Sequence, residues 1–147
     1  MTMNLPKDLR EFVELLNAHD VHFVIVGAFA LAYHGHARYT SDIDLFIENS
    51  NENADRILRA VRDFGFDDID LTQEDLTHKD QVVQLGVAPN RIDLLTVLSG
   101  VSFQDAWASR EIGEIGDLKV PFISRALLKQ NKLATGRSQD LVDAEHL

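Results

Sequence analysis

Apolar positions along the chain follow two rhythms, and their alternation predicts the order of elements. Leu9, Phe12, Val13 and Leu16 recur at helical spacing, behind Asn4 as a capping residue and Pro6 in the first turn. His22–Val26 then reads as a strand. Gly27 turns the chain into a short apolar helix over Ala28–His34, which Gly35 ends. A second strand is expected from about Ser41 to Glu48. A polar loop over Glu48–Asn53 precedes a helix with Ala54, Ile57, Leu58, Val61 and Phe64 on one side, stopped by Gly65.

Two β-rich runs, Gln81–Val87 and Arg91–Val97, flank Ala88-Pro89-Asn90 and predict a hairpin. Ser102 caps a short helix that puts Phe103, Ala106 and Trp107 on its core side. A last strand over Leu118–Phe122 leads into a helix from about Ser124 to Thr135, ended by Gly136, and a short helix closes the chain. The order αβαβαββαβαα predicts an α+β fold, a mixed sheet flanked by helices with a helical C-terminal part at about 124–147. No repeat, low-complexity segment or linker divides residues 1–147, so a single domain is expected.

Composition narrows the function classes. The chain is 45% apolar over 147 residues, enough for a sizeable core. It has no cysteine, which removes disulfides, zinc–thiolate centres and thiol nucleophiles. No apolar run approaches the ~18 residues of a membrane span, and the start lacks a basic-then-apolar leader pattern. A cytoplasmic protein is the expectation.

A net charge of −10 argues against nonspecific coating of nucleic acid, which depends on neutralising phosphates. The charge is uneven, however. Lys119, Arg125, Lys129, Lys132 and Arg137 give Leu118–Gln139 a charge of +5 with no acid among them, leaving −15 elsewhere. One local anion-binding surface on an acidic body is expected.

The candidate chemistry centres on Asp42-Ile43-Asp44. In the strand-like stretch that ends at Ile47, these carboxylates project from one face, and their mutual repulsion calls for a cation with a preference for hard oxygen ligands. Upstream, Gly27-Ala28 lies at a strand-to-helix turn where backbone N–H groups can approach an anion. Downstream, Asp93 sits among apolar neighbours in Arg91–Leu95, a costly place for a carboxylate unless it is paired or ligating. Three carboxylates on adjacent strands suit two metal ions ~4 Å apart, the arrangement of in-line nucleotidyl transfer. A lone Asp-x-Asp is more often a solvated edge pair, and Asp93 could instead pair with Arg91; the glycine turn and the third Asp together favour metal.

The other residues carry paired readings. Arg125, Lys129 and Lys132 form one helical stripe, either a clamp on phosphates or a solvated face. Arg38 could reach a phosphate or pair with Asp42. His34 and His36 read as loop or pocket-rim residues, without metal-ligand spacing to His78 or His146. Trp107 with Phe103 reads as core rather than a platform for bases. No Ser/His/Asp set is present, and Ala-Phe-Ala after Gly27 rules out a Walker-type loop.

These residues resemble the nucleotidyltransferase superfamily of the DNA polymerase β type, and among its members the small bacterial proteins related to AbiEii toxins and MNT-type antitoxins. The first motif of that superfamily is matched by Gly27-Ala28 and by Arg38-Tyr39-Thr40-Ser41-Asp42-Ile43-Asp44. Its third carboxylate is matched by Asp93, a later helical lysine by Asn131-Lys132-Leu133, and its final pattern by Arg137-Ser138-Gln139-Asp140-Leu141-Val142-Asp143. The matches run in order from about His22 to the end. Ala28 stands where relatives carry Gly or Ser, and Gln139 where many carry Lys.

The resemblance implies a nucleotidyltransferase fold and transfer of an NMP from an NTP to a hydroxyl, with Mg²⁺ or Mn²⁺ on Asp42, Asp44 and Asp93. Gly27, Ala28, Arg38, Lys129 and Lys132 are then expected on the nucleotide, and Asp140 on Lys132 or the acceptor. It further implies an RNA 3′ end such as that of tRNA, or a protein side chain, as acceptor, and a toxin–antitoxin partner. Two other readings stay open: a noncatalytic nucleotide- or partner-binding module, and a nucleotidyltransferase acting on a small cationic drug of the aminoglycoside type. Homodimerisation is expected from the habit of small enzymes alone, since no exposed apolar helix face argues for it.

Overall fold

The sheet is mixed and six-stranded, and its central strands are the ones that carry the candidate chemistry. The structure is a computed structural model that describes residues 5–36, 42–66, 70–86 and 90–147. In chain order the elements are α1 (Lys7–Ala18), β1 (Phe23–Val26), α2 (Gly27–Tyr33), β2 (Ile43–Ile47), α3 (Asn51–Phe64), α4 (Gln73–Thr77), β3 (Val82–Leu85) and β4 (Ile92–Leu95). There follow α5 (Phe103–Ala108), β5 (Glu111–Ile115), β6 (Leu118–Phe122), α6 (Arg125–Thr135) and α7 (Ser138–Glu145). Strand order is β3-β4-β2-β1-β6-β5. The pairs β2–β4 and β1–β6 are parallel; β1–β2, β3–β4 and β5–β6 are antiparallel.

All four residues of β1 are buried, as expected for a strand covered on both faces. The apolar faces of α1 and α3 form much of the core: Leu9, Phe12, Val13 and Leu16 pack with Ala54, Ile57 and Val61, joined by Ala60, which was not expected there, while Leu58 and Phe64 are only partly buried. In β2 only Asp44 interrupts a buried run, and in β4 Asp93 is itself buried. A carboxylate at each of these places is costly unless something offsets its charge.

Several expected boundaries are corrected. Pro6 is the N-cap of α1 rather than part of its first turn, and Asn4 lies outside the described residues. The loop expected at Glu48–Asn53 already contains the start of α3, capped by the Ser50 side chain. Asn53 is fully buried there. Its Nδ2 donates to the carbonyls of His22 (3.0 Å) and Glu48 (2.8 Å), and its Oδ1 accepts from the His22 amide (2.7 Å). These bonds hold the beginning of β1 and the end of β2 together.

The β3–β4 pairing is antiparallel as the hairpin requires, though residues 87–89 of its connection, and Ser41 at the expected start of β2, lie outside the described residues. Two elements, α4 and β5, were not expected at all. Among the described residues no helix is long and apolar enough to cross a membrane. Leu133 on α6 and Leu141 and Val142 on α7 are well exposed, so these helices do show apolar side chains to solvent, contrary to the expectation.

Candidate active site

The geometry of the site follows from strand register. Parallel pairing of β2 with β4 sets Asp44 opposite Asp93. The ladder extends one step further, the Ile43 amide donating to the Arg91 carbonyl at 3.1 Å, and this brings Asp42 alongside Arg91. All three predicted carboxylates therefore meet at one end of the sheet.

Gly27 explains its own identity at this place. It has φ +68°, a left-handed conformation that disfavours side chains, and a Cβ built on it would lie 2.2 Å from Asp44 Oδ2. The glycine turn and the second aspartate of the Asp-x-Asp pair are thus in contact, across 17 positions of sequence.

Burial is the largest of the influences that push the Asp44 carboxyl up to about 7; the neighbouring Asp93 and Asp42 carboxylates add to it and Arg91 opposes it. In the folded, metal-free protein Asp44 therefore keeps its proton over a window in which the unfolded chain gives it up. The unfolded state binds fewer protons between about pH 4 and pH 7, so stability is lost as pH rises through that window. The expected loss is on the order of 4 kcal/mol. Urea midpoints measured in EDTA across this range will show it as the difference between wild type and Asp44→Asn.

Arg91 joins two of the carboxylates. Its Nε lies 2.9 Å from Asp93 Oδ1 and its Nη2 3.2 Å from Asp93 Oδ2, while Nη2 also lies 3.1 Å from Asp42 Oδ2. The pairing of Asp93 with Arg91, one of the two readings of the sequence, is therefore present. As the side chains stand, no three His, Cys, Asp or Glu among the described residues converge in a metal-ligand group.

Across from the strands, α6 and α7 supply a second polar cluster. Lys132 is buried, its Nζ 3.0 Å from Asp140 Oδ1 and 3.4 Å from Asp143 Oδ2. Asp140 Oδ2 also accepts from the Thr135 hydroxyl at 2.7 Å and from Arg137 Nε at 2.8 Å. Burial would push the Asp140 carboxyl up, but these hydrogen bonds and the Lys132 charge outweigh it and hold it below the usual carboxylate range. Lys132→Met is expected to cost about 3 kcal/mol, because two buried carboxylates then lose their shared cation. Denaturant unfolding would measure it, and a cost under 0.5 kcal/mol would contradict the assigned role of this lysine.

A cavity of about 380 Å³ lies between the clusters. Gly27, Ala28 and Asp44 line one side, Lys132, Asp140 and Arg137 another, and the segment Leu95 to Ser99 contributes most of the apolar wall. Four of the predicted residues from the turn, strand and helix thus reach one space together with Asp140. Asp42 and Asp93 are not among the residues that line the cavity.

Other expectations are placed differently. The Arg125–Lys129–Lys132 stripe does not act as one surface. Arg125 donates to the carbonyls of His34 (2.9 Å) and His146 (3.0 Å), Lys132 is buried, and Lys129 is exposed and does not line the cavity. Arg38 lies outside the described residues. His34 Nε2 donates to the Ile123 carbonyl at 2.8 Å, a structural role, and the His36 and His146 rings lie 4.9 Å apart. Trp107 stacks with the His22 ring and lies under the Arg110 guanidinium, in keeping with a structural part. The sequence reading missed Thr135, Arg91 as a bridge and the wall from Leu95 to Ser99. Only Arg91 left a signal, being two residues from Asp93 and hence on its face of the strand.

Comparisons with known proteins bear on the family and the fold. A family profile described as the nucleotidyl transferase AbiEii toxin of type IV toxin–antitoxin systems matches residues 12–101. That span holds the glycine turn and all three carboxylates but ends before Lys132. A solved structure from Thermotoga maritima, of a candidate nucleotidyltransferase, superposes with a TM-score of 0.65 at 18% identity, covering 94% of this chain and 88% of that one. At that identity the likeness concerns the fold. No curated protein matches the sequence.

Proposed function

The chain belongs to the AbiEii family of nucleotidyl transferases, and from that premise we propose that it moves an NMP from an NTP to a hydroxyl acceptor, using a divalent metal held by Asp42, Asp44 and Asp93. The observation that carries this reading is the single cavity shared by Gly27, Ala28, Asp44 and Lys132. The carboxylates fit such a metal in kind and in charge: they are hard oxygen donors, and repulsion from Asp93 and Asp42, which Arg91 only partly offsets, helps to raise Asp44. Ligation requires Asp93 to turn from Arg91. Once bound, Mg²⁺ or Mn²⁺ supplies charge neutralisation for the triphosphate and acidifies the acceptor hydroxyl.

The chain's own residues do the rest. The Gly27–Ala28 backbone receives the triphosphate, with Ala28 permitting close approach but offering no hydroxyl. Lys132, fixed by Asp140, meets the negative charge that builds on the phosphates in the transition state. The acceptor oxygen bonds to the α-phosphorus as the bond to the bridging oxygen breaks and pyrophosphate leaves. The hydroxyl proton passes to the Asp93 carboxylate. Arg38 is a further contact for the triphosphate in this reading, whereas Lys129, on the exposed face of α6, stands outside the cavity. An antitoxin is the partner that the family's toxin–antitoxin description suggests.

Label transfer from each α-phosphate-labelled NTP, with Mg²⁺ or Mn²⁺, into total tRNA and into cell lysate tests the proposal and identifies base and acceptor together. Label on RNA or on a protein band fixes the acceptor class. Transfer to an aminoglycoside alone would support the drug-modifying reading, which the −15 charge outside the basic segment suits. NTP binding without transfer to any acceptor would support the noncatalytic module.

A further inference from the structure

Among the described residues, Arg91 touches two of the three carboxylates, and it does so with a planar fork rather than a point charge. Both Asp93 oxygens accept from it, at 2.9 and 3.2 Å, and the same Nη2 reaches Asp42 at 3.1 Å. Asp93 has only 10% of its side chain exposed, so this pairing is shielded from bulk water on the Asp93 side. The side chain of Arg91 itself is 33% exposed, which leaves it a way out toward solvent. Its place in the sequence puts it within reach of both carboxylates. Immediately before β4 and two residues ahead of Asp93, it shares the face of that carboxylate, and the β2–β4 register brings Asp42 beside it.

We propose that Arg91 is a resident counter-cation of the acidic trio that competes with the divalent metal for Asp42 and Asp93, and so sets how tightly the metal binds in the absence of nucleotide. The inference rests on the reading of the three aspartates as metal ligands. A guanidinium and a divalent ion a few ångströms apart repel strongly in a partly buried site, so the two cannot share Asp93 on equal terms. Metal entry therefore turns the fork away from Asp93. The triphosphate, with its own negative charge and oxygen acceptors, is a ready recipient for the released fork. Metal alone must work against the ion pairs, whereas metal arriving with NTP finds a new partner for Arg91. Binding of the two ligands is then cooperative.

The test is Mn²⁺ binding by titration calorimetry, with free Mn²⁺ followed independently by its paramagnetic resonance signal, on wild type, Arg91→Gln, Arg91→Lys and Asp93→Asn. Arg91→Gln is expected to bind Mn²⁺ without nucleotide on the order of tenfold more tightly than wild type. Arg91→Lys, which keeps the charge but loses the fork, is expected to fall between them. Adding a nonhydrolysable NTP should tighten Mn²⁺ binding in wild type and do so less in Arg91→Gln. A purely structural role would lower stability and leave Mn²⁺ affinity equal or weaker, and that outcome overturns the proposal while the metal reading stands. Mn²⁺ bound by neither wild type nor Arg91→Gln would overturn both. Mn²⁺ binding as tight in Asp93→Asn as in wild type would show that Asp93 is no ligand and would overturn the competition at that carboxylate. Should Arg91→Gln fail to fold, the lysine variant decides the question by the same sign of change.

Discussion

Asp44→Asn is expected to abolish transfer, lowering it on the order of 10³-fold or more, while the protein stays folded and becomes more resistant to urea at neutral pH. The two effects have one cause. Asp44 is held between Gly27 and Asp93, where burial and like charge make its ionised form expensive. Asparagine has the same shape without the charge, so the metal-free fold is relieved, whereas the metal loses a ligand on which the others depend. Ordinary core polar residues behave in the opposite way, since removing one usually costs stability. Transfer assays paired with denaturation at about pH 8 give both numbers. A variant that is less stable and equally active would contradict the assignment of Asp44.

Gly27→Ala is the second large effect. A left-handed conformation costs an L-residue roughly 1–2 kcal/mol, and the added methyl group also meets Asp44 Oδ2 at 2.2 Å. Displacing Asp44 adds an overpacking cost of about 1–3 kcal/mol. The variant is expected to lose about 3 kcal/mol in all, and to lose transfer at temperatures where it remains folded. Gly35→Ala is the control. Gly35 also has positive φ, at +104°, but nothing lies within 4 Å of its virtual Cβ, so backbone strain alone should lower stability by about 1 kcal/mol and leave transfer intact. If the two variants behaved alike, contact with Asp44 would not be the reason for glycine at position 27.

The misses have physical reasons that particular residues show. β5 inverts the usual alternation: Ile112 is 58% exposed, while the inward positions are taken by Gly113 and Ile115. Gly113 is required because a Cβ there would lie 2.4 Å from the Tyr33 ring, which is stacked on Phe122. A strand whose core-facing residue is glycine has no apolar pattern to read. α4 is five residues long with one buried side chain, Leu76, too little for a helical period. Its capping box, Thr72 with Asp75, was nevertheless present in the sequence as a start signal.

The basic stripe failed for a different reason. Spacing placed Arg125, Lys129 and Lys132 along one helix, but one face of a helix spans from buried to exposed, and three cations on it met three different surroundings.

The sequence by itself determined five of the six strands, the glycine turn and the three aspartates, because periodicity and turn chemistry are local properties of the chain; the link between Lys132 and Asp140 was an expectation from family resemblance alone. The alternation of a strand puts Asp42 and Asp44 on one side whatever the rest of the fold does. Tertiary structure alone decided which groups meet. The parallel pairing of β2 with β4 set Asp44 against Asp93, the close approach of Gly27 completed that contact, and the packing of α6 and α7 brought Lys132 and Asp140 to the same cavity. It also gave Arg91 two carboxylates instead of one. Charge, burial and proton affinity depend on neighbours distant in sequence, and those neighbours exist only once the sheet has formed.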